Sequence, residues 1–179
     1  MVQAQQPVSS ATHLGINASI GFNFSYKDCM VIHPSDMHFI WAIGRTVVIK
    51  SIETDSNTYL KGHEGRICQM TMSKSGALLA TGEQMGPDTV SAVIVWDFAQ
   101  RDMLYRVRYH NETVQALSFS CNEAYLVSLG GIKDGNQVVV WNMSEGRSEA
   151  SSPATNQLQQ ECQDVKFFNQ SPNKFVTVH

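Results

Sequence analysis

Positive charge, long apolar stretches and paired cysteines are all scarce in this chain, and each shortage removes a class of function. Thirteen Lys and Arg stand against 16 Asp and Glu, a net charge of -3. Nucleic acid and anionic lipid are held largely by neutralising phosphates with Lys and Arg, so neither partner is expected. The one basic cluster, Arg101, Arg106 and Arg108, reads as a solvated strand and loop face. No apolar run approaches the ~20 residues with which a helix crosses a bilayer. The start, MVQAQQPVSSATHLG, has neither the cationic opening nor the apolar stretch of ~7 to 15 residues of a secretory signal, so an intracellular chain is expected. In that setting the five glycosylation-like triplets at Asn17, Asn23, Asn111, Asn142 and Asn169 are coincidences of composition.

The four cysteines, Cys29, Cys68, Cys121 and Cys162, form no C-x-x-C pair and read as small half-buried hydrophobes. His33 and His38 have no arrangement of Cys or carboxylate that would complete a zinc site, so they read as loop residues. GGIKDG and GPDTVSA lack the order of a phosphate loop, and no G-x-S-x-G or H-E-x-x-H occurs. No catalytic residue, metal, cofactor or small-molecule substrate is expected. Helical periodicity is missing as well: no window sustains an apolar period of 3.6.

What is present is a repeat. RICQMTMSKSGALLATG (66–82) and TVQALSFSCNEAYLVSLG (113–130) carry the same rhythm, with Ile67, Met70 and Met72 matching Val114, Leu117 and Phe119, each pair 47 apart. Each passes a turn, runs through a second apolar strand ending at Gly82 or Gly130, and then enters a third, AVIVWD (92–97) or QVVVWN (137–142). A weaker copy lies upstream in 29–52, with Ile49 where Trp would stand. Another opens downstream at 162–179, where Phe175, Val176 and Val178 read as a buried strand and His179 falls at the glycine position. Fourth strands are expected at TYLKGH (58–63) and MLYRVRYH (103–110). Units of this length built from three or four short strands are propeller blades. The expected organisation is a flexible arm over 1–17 followed by units at about 18–57, 58–102, 103–148 and an incomplete 149–179.

The pattern resembles the WD40-repeat family. GH at 62–63 leads to WD at 96–97, and His110 leads to WN at 141–142, separations of 33 and 31 between His and Trp. The resemblance implies an all-β WD40 propeller in which a buried His, a Ser or Thr and a Trp share hydrogen bonds: His63, Thr81 and Trp96 in one blade, His110, Ser128 and Trp141 in the next. Such histidines are structural, because a buried indole N-H and an imidazole each need a partner. Asp88, the hairpin acid, is displaced and stays outside the network. A closer likeness, carried by IGFN (20–23), the HP at 33–34, LKGHEG (60–65) and above all YLVSLGGIKDGNQVVVW (125–141), is to the cilia- and flagella-associated WD-repeat proteins of axonemal doublet microtubules. Centriolar and echinoderm microtubule-associated relatives share weaker versions of it.

That likeness implies the N-terminal part of a tandem propeller, with about three and a half blades present and SIGFN as an outer strand. It also implies a non-enzymatic structural role in the cytoskeleton of the cilium or flagellum, bound to tubulin and other inner proteins in the B-tubule lumen near the inner junction. The long hairpins are the expected contact loops, with Glu83, Gln84, Met85 and Asp88 in one and Lys133 and Asp134 in the other, because loops carry function disproportionately. Two alternatives are a WD40 scaffold or adaptor for a multiprotein complex and a centriolar microtubule-associated protein.

Overall fold

The computed structural model describes residue 21 and residues 26–154 and 161–179. The expected arm over 1–17 lies outside these residues, and so does the expected strand SIGFN apart from Gly21.

Three four-stranded antiparallel meanders and one strand pair follow each other along the chain. Sheet I holds β1 (Met30–Ile32), β2 (His38–Ile43), β3 (Thr46–Ser51) and β4 (Asn57–Lys61). Sheet II holds β5 (Arg66–Met72), β6 (Leu78–Gln84), β7 (Val90–Asp97) and β8 (Asp102–Asn111). Sheet III holds β9 (Val114–Phe119), β10 (Tyr125–Gly130), β11 (Gln137–Asn142) and β12 (Arg147–Pro153), and sheet IV holds β13 (Asp164–Phe168) and β14 (Ser171–Val178). The only helix among the described residues is a 3-10 turn at Ile132–Asp134.

The first strands β5, β9 and β13 lie side by side, and the sheets stack face to face. Ile40, Val47, Ile49 and Leu60 of sheet I meet Ile67, Leu79, Ile94 and Trp96 of sheet II. Ala80, Val93 and Val95 on the far side of sheet II meet Leu117, Leu126, Val139 and Trp141 of sheet III. Val127, Leu129 and Val138 then meet Val165 and Phe167 of sheet IV. Middle strands covered on both faces read as continuous apolar runs, which is why VIVW and VVVW stand out in the sequence. Each fully buried Ile or Leu contributes about 1.5–3 kcal/mol, so these three interfaces hold the stack together.

One turn recurs at the ends of β1, β5 and β9. His33, Ser73 and Ser120 each donate a backbone N-H to the residue five on, and each accepts the N-H of the residue three on. That third residue, Asp36, Gly76 or Glu123, has φ of 58°, 81° or 62°. Ser73 and Ser120 add a side-chain bond to the N-H of Leu78 and Tyr125, so the repeat seen in sequence is a repeat of turn chemistry as well as of apolar rhythm.

The fourth strands expected at 58–63 and 103–110 are β4 and β8, which pair with β3 and β7 and close sheets I and II. The structure departs from the sequence expectations at three places. Lys50, paired with Phe39, occupies the register of Trp96, which pairs with Leu79; Ile49 pairs with Ile40 and corresponds to Val95. The wholly exposed strand β12, RSEASSP, had no apolar signal to announce it and forms because β11 offers it an edge. Finally, β14 is no buried strand: Phe175, Val176 and Val178 are 37%, 45% and 47% exposed, since β14 pairs only with β13 among the described residues. Phe175 and Thr177 border an apolar cleft of about 340 Å³ with Val138 and Val140.

Candidate functional site

Two buried polar networks sit inside this apolar stack and fix the loops above them. In sheet II the Trp96 indole N-H donates to the Thr81 hydroxyl at 2.8 Å, and His63 Nε2 lies 2.6 Å from the same oxygen. In sheet III Trp141 donates to the Ser128 hydroxyl at 2.8 Å, with His110 Nε2 at 2.7 Å. Thr81 and Ser128 occupy the same register, opposite Ile94 and Val139, because the repeat places a short hydroxyl where the sheet has room for an indole beside it.

Each network ends on an acid that had been expected on an exposed contact loop. Glu83 is 1% exposed and belongs to β6. Its Oε2 accepts His63 Nδ1-H at 2.9 Å and the N-H groups of Glu64 and Gly65 at 3.0 Å each, and its Oε1 accepts the N-H of Ala92 at 3.0 Å. Burial would raise the carboxyl, but the donors outweigh it: the His63 hydrogen bond, the Gly65 N-H, the His63 charge and the Ala92 N-H together hold it down at about 2. Asp134, its side chain 8% exposed, lies 2.5 Å from His110 Nδ1 and accepts the backbone and side-chain N-H of Asn111 at 3.2 Å each. The correction has a simple cause. A buried imidazole with both nitrogens away from water needs a partner on each side, and an unpaired one costs about 1–3 kcal/mol.

The two acids reach equivalent places by different routes. Glu83 pairs with Ile67, and Gly130 pairs with Val114, so Glu83 is in register with Gly130 and Gly82 with Leu129, one position away from the expected glycine match. At Gly130 a Cβ would lie 2.1 Å from Asp134 Oδ2 and 2.5 Å from His110 Nδ1. Glycine there leaves the space that the loop aspartate fills, whereas sheet II supplies the acid from the strand itself. The register also puts Thr177 where Ser128 stands and His179 where Gly130 stands.

The order hydroxyl, imidazole, carboxylate superficially matches a hydrolase triad. Thr81 and Ser128 are both fully buried and each hydroxyl already receives an indole N-H, so neither oxygen is presented to a substrate. The thiols are similarly withdrawn. Burial, with a smaller contribution from Asp28, pushes Cys29 up to about 11; burial likewise pushes Cys68 up to about 12, and all four cysteines are free. No cluster of metal-binding side chains occurs among the described residues.

What the networks present outward is a rim of two anchored loops. Gln84, Asp88 and Lys133 are exposed and Met85 is half-buried, so these four do lie at the surface, as Glu83 and Asp134 do not. Glu112, in the turn between β8 and β9, joins the loops: its carbonyl accepts Met85 N-H at 2.6 Å, its N-H donates to the Thr89 carbonyl at 2.9 Å, and its carboxylate lies 3.8 Å from Lys133 Nζ. Glu112 has φ of 61°, a turn geometry with no clear residue signal, and sequence reasoning missed it. Ile132, 44% exposed beside Lys133, was missed as well; an isolated apolar residue in a glycine-rich loop is its only trace. The arginine cluster divides: Arg106 and Arg108 both meet Glu64, while Arg101 lies over the Phe98 ring at 3.8 Å.

Solved structures of U3-55K and of the RRP9 WD40 repeats superpose with TM-scores of 0.65 and 0.64 at 20% identity, over 78% of this chain and 42% and 41% of theirs. The fold is therefore that of WD40 repeats. Its three full sheets and one pair are an incomplete WD40 propeller. Among curated relatives, Cilia- and flagella-associated protein 52 of Chlamydomonas reinhardtii is 34% identical over 168 residues, 93% of this chain and 27% of that protein. The Homo sapiens protein of the same name is 34% identical over 169 residues, 90% of this chain and 27% of its own length. WD repeat-containing protein 90 of Mus musculus is 27% identical over 139 residues, 77% of this chain and 7% of that protein. No family model matches the chain. The chain spans little more than a quarter of the first curated relatives, in their N-terminal part.

Proposed function

We propose that the protein is a non-enzymatic structural component of the ciliary and flagellar cytoskeleton, a microtubule inner protein that lies against tubulin in the B-tubule lumen near the inner junction and stabilises the doublet together with other inner proteins. The similarity to Cilia- and flagella-associated protein 52, at 34% identity over nine-tenths of the chain, is the observation that carries this reading. The geometry supports a binding role over a chemical one: the polar clusters are buried and saturated, and what they hold in place is a loop rim.

That rim, with Gln84, Met85, Asp88 and Lys133 at its surface, is the tubulin-facing surface in this reading. Its loops are braced by Glu112 and by the two network acids, so they are presented in one shape and lose little conformational entropy on binding. Mixed charge suits a lumenal contact made by shape, in contrast to the acidic tails of the outer microtubule surface, which favour a basic partner face.

The test is salt extraction of isolated axonemes with the native full-length polypeptide, alongside co-sedimentation with stabilised microtubules. The protein is expected to stay with salt-resistant doublets. Release by detergent, with recovery only in soluble complexes lacking tubulin, would replace this reading by that of a general scaffold.

A further inference from the structure

Two successive junctions differ on their outer side, where the last strands of the sheets lie. β4, β8 and β12 each pair with one strand only among the described residues. Between sheets II and III the outer gap is filled by aromatic rings of β8. Tyr105 lies over Gly146, where a Cβ would stand 2.3 Å from its Cδ1, and Tyr109 stands edge-on to Trp141 at 5.9 Å between centroids.

Between sheets I and II the corresponding positions are small. Thr58 pairs with Ile49 as Tyr105 pairs with Val95, so an exposed Thr58 takes the place of Tyr105. Gly62, just before His63, takes the place of Tyr109, just before His110. Arg101 takes the place of Gly146: the two have φ of 62° and 64°, and each donates its N-H to the carbonyl four residues back, Asp97 or Asn142. The Arg101 guanidinium is turned onto the Phe98 ring at 3.8 Å. A Cβ at Gly62 would lie 2.6 Å from Met103 Cε and 3.0 Å from Trp96 Cη2, so at that end these two side chains take up the space of the missing ring. No side chain does so beside Thr58, and a groove of about 690 Å³ lies open between β4 and residues 101–103, reaching Trp96.

The groove is bordered by cations. Paired residues of an antiparallel sheet share a face, and Arg106 pairs with Ile94, which packs against sheet I; Arg106 and Arg108 therefore stand on the groove side of β8. Both meet the same oxygen of Glu64, at 3.0 Å and 2.6 Å, and half of the Arg108 side chain stays exposed. With Lys61, Arg101 and Asp102 at the groove itself, this surface sets four cations against two carboxylates, on a chain whose net charge is -3. A strand rises about 3.3 Å per residue, so Arg106 and Arg108 lie about 10 and 17 Å along β8 from Met103, within the span of a short extended segment.

We propose that the groove between β4 and β8 is a docking site for an extended acidic segment of a partner protein that carries a tyrosine: the ring enters the gap that Tyr105 fills at the next junction, and flanking carboxylates meet Arg106 and Arg108. A tyrosine suits a groove that is apolar at Trp96 and polar at its mouth, and a guanidinium with an exposed side can take a second carboxylate. The outer edges of β4 and β8 offer main-chain donors and acceptors to such a segment. The site uses none of the surface residues of the loop rim, so it stands or falls apart from the tubulin reading.

A fluorescein-labelled peptide, Gly-Glu-Tyr-Glu-Glu-Gly, is the probe, with binding to the full-length protein followed by fluorescence anisotropy. Saturable binding is expected, weakened about tenfold when Ser replaces the tyrosine of the peptide and about tenfold by Arg108→Glu in the protein. Thr58→Tyr supplies the missing ring from β4 itself and is expected to weaken binding at least about tenfold with no loss of thermal stability. Absence of saturable binding overturns the proposal, and so does undiminished binding to Thr58→Tyr, which is the mark of charge attraction alone. Should that variant not fold, hydrogen exchange on the unaltered protein decides: protection of 57–61 and 102–108 by the peptide, with 147–153 unchanged, supports the site, and no protection there overturns it.

Discussion

Replacing Glu83 by Gln tests the buried acid directly. The carboxylate receives four donors, one from His63 and three from the backbone N-H groups of Glu64, Gly65 and Ala92, all between 2.9 and 3.0 Å. Its pKa falls from the usual 4.5 of a glutamate to about 2 in the fold. A folded-state value below the unfolded one means that the ionised form stabilises the fold above about pH 4.5, and that this stabilisation is lost as pH falls towards 2. At about 1.4 kcal/mol for each unit, the ionised carboxylate contributes on the order of 3 kcal/mol near neutrality. The amide of Gln keeps one acceptor oxygen but turns an NH2 towards either the Ala92 N-H or the three-donor side. Urea unfolding followed by tryptophan fluorescence at pH 7 should therefore place Glu83→Gln roughly 3 kcal/mol below the unaltered protein. The gap should close progressively between pH 4.5 and pH 2, where the native carboxyl also becomes neutral. A gap below about 1 kcal/mol at pH 7, or one that does not change with pH, would refute the reasoning.

Other expected outcomes follow from the same contacts. Ser128→Ala strands the Trp141 indole N-H and His110 Nε2 in a dry site, for a loss of about 2–4 kcal/mol measured by the same unfolding assay; Ser128→Thr, which keeps the hydroxyl, should recover most of it. Gly130→Ala drives a Cβ into the His110 and Asp134 contact and should cost about 1–3 kcal/mol, with faster exchange of the Asn111 amide as its local signature. A double change of Met85→Ser and Lys133→Glu touches only the rim, so thermal stability should hold while co-sedimentation with microtubules weakens several-fold.

Much of the fold was legible because a buried middle strand leaves an apolar run and each blade repeats its turn. The matches of Ile67 to Val114 and of Met72 to Phe119 hold in the register of the sheets. The signal failed where strands are exposed, as in RSEASSP, and where a blade departs from its copies, as at Lys50 in sheet I. In the site, His63, Thr81, Trp96, His110, Ser128 and Trp141 could be placed from the resemblance to WD40 repeats, which carries over residue by residue because strand register is rigid. The acids could not: one lies on a strand and the other in a loop, at +2 and +6 from the hydroxyl residue, so no fixed spacing links them. Their place on long hairpins assigns both to the surface, whereas four backbone and imidazole donors make the Glu83 carboxylate a well-satisfied group in that interior.

The lumenal placement is tested most directly by limited proteolysis of the full-length protein in salt-washed doublets, comparing intact doublets with doublets whose B-tubules have been opened. Protection in the intact doublet and rapid cleavage at the exposed 84–90 and 131–135 loops after opening is the result expected of an inner protein. Equal cleavage in both preparations would contradict it.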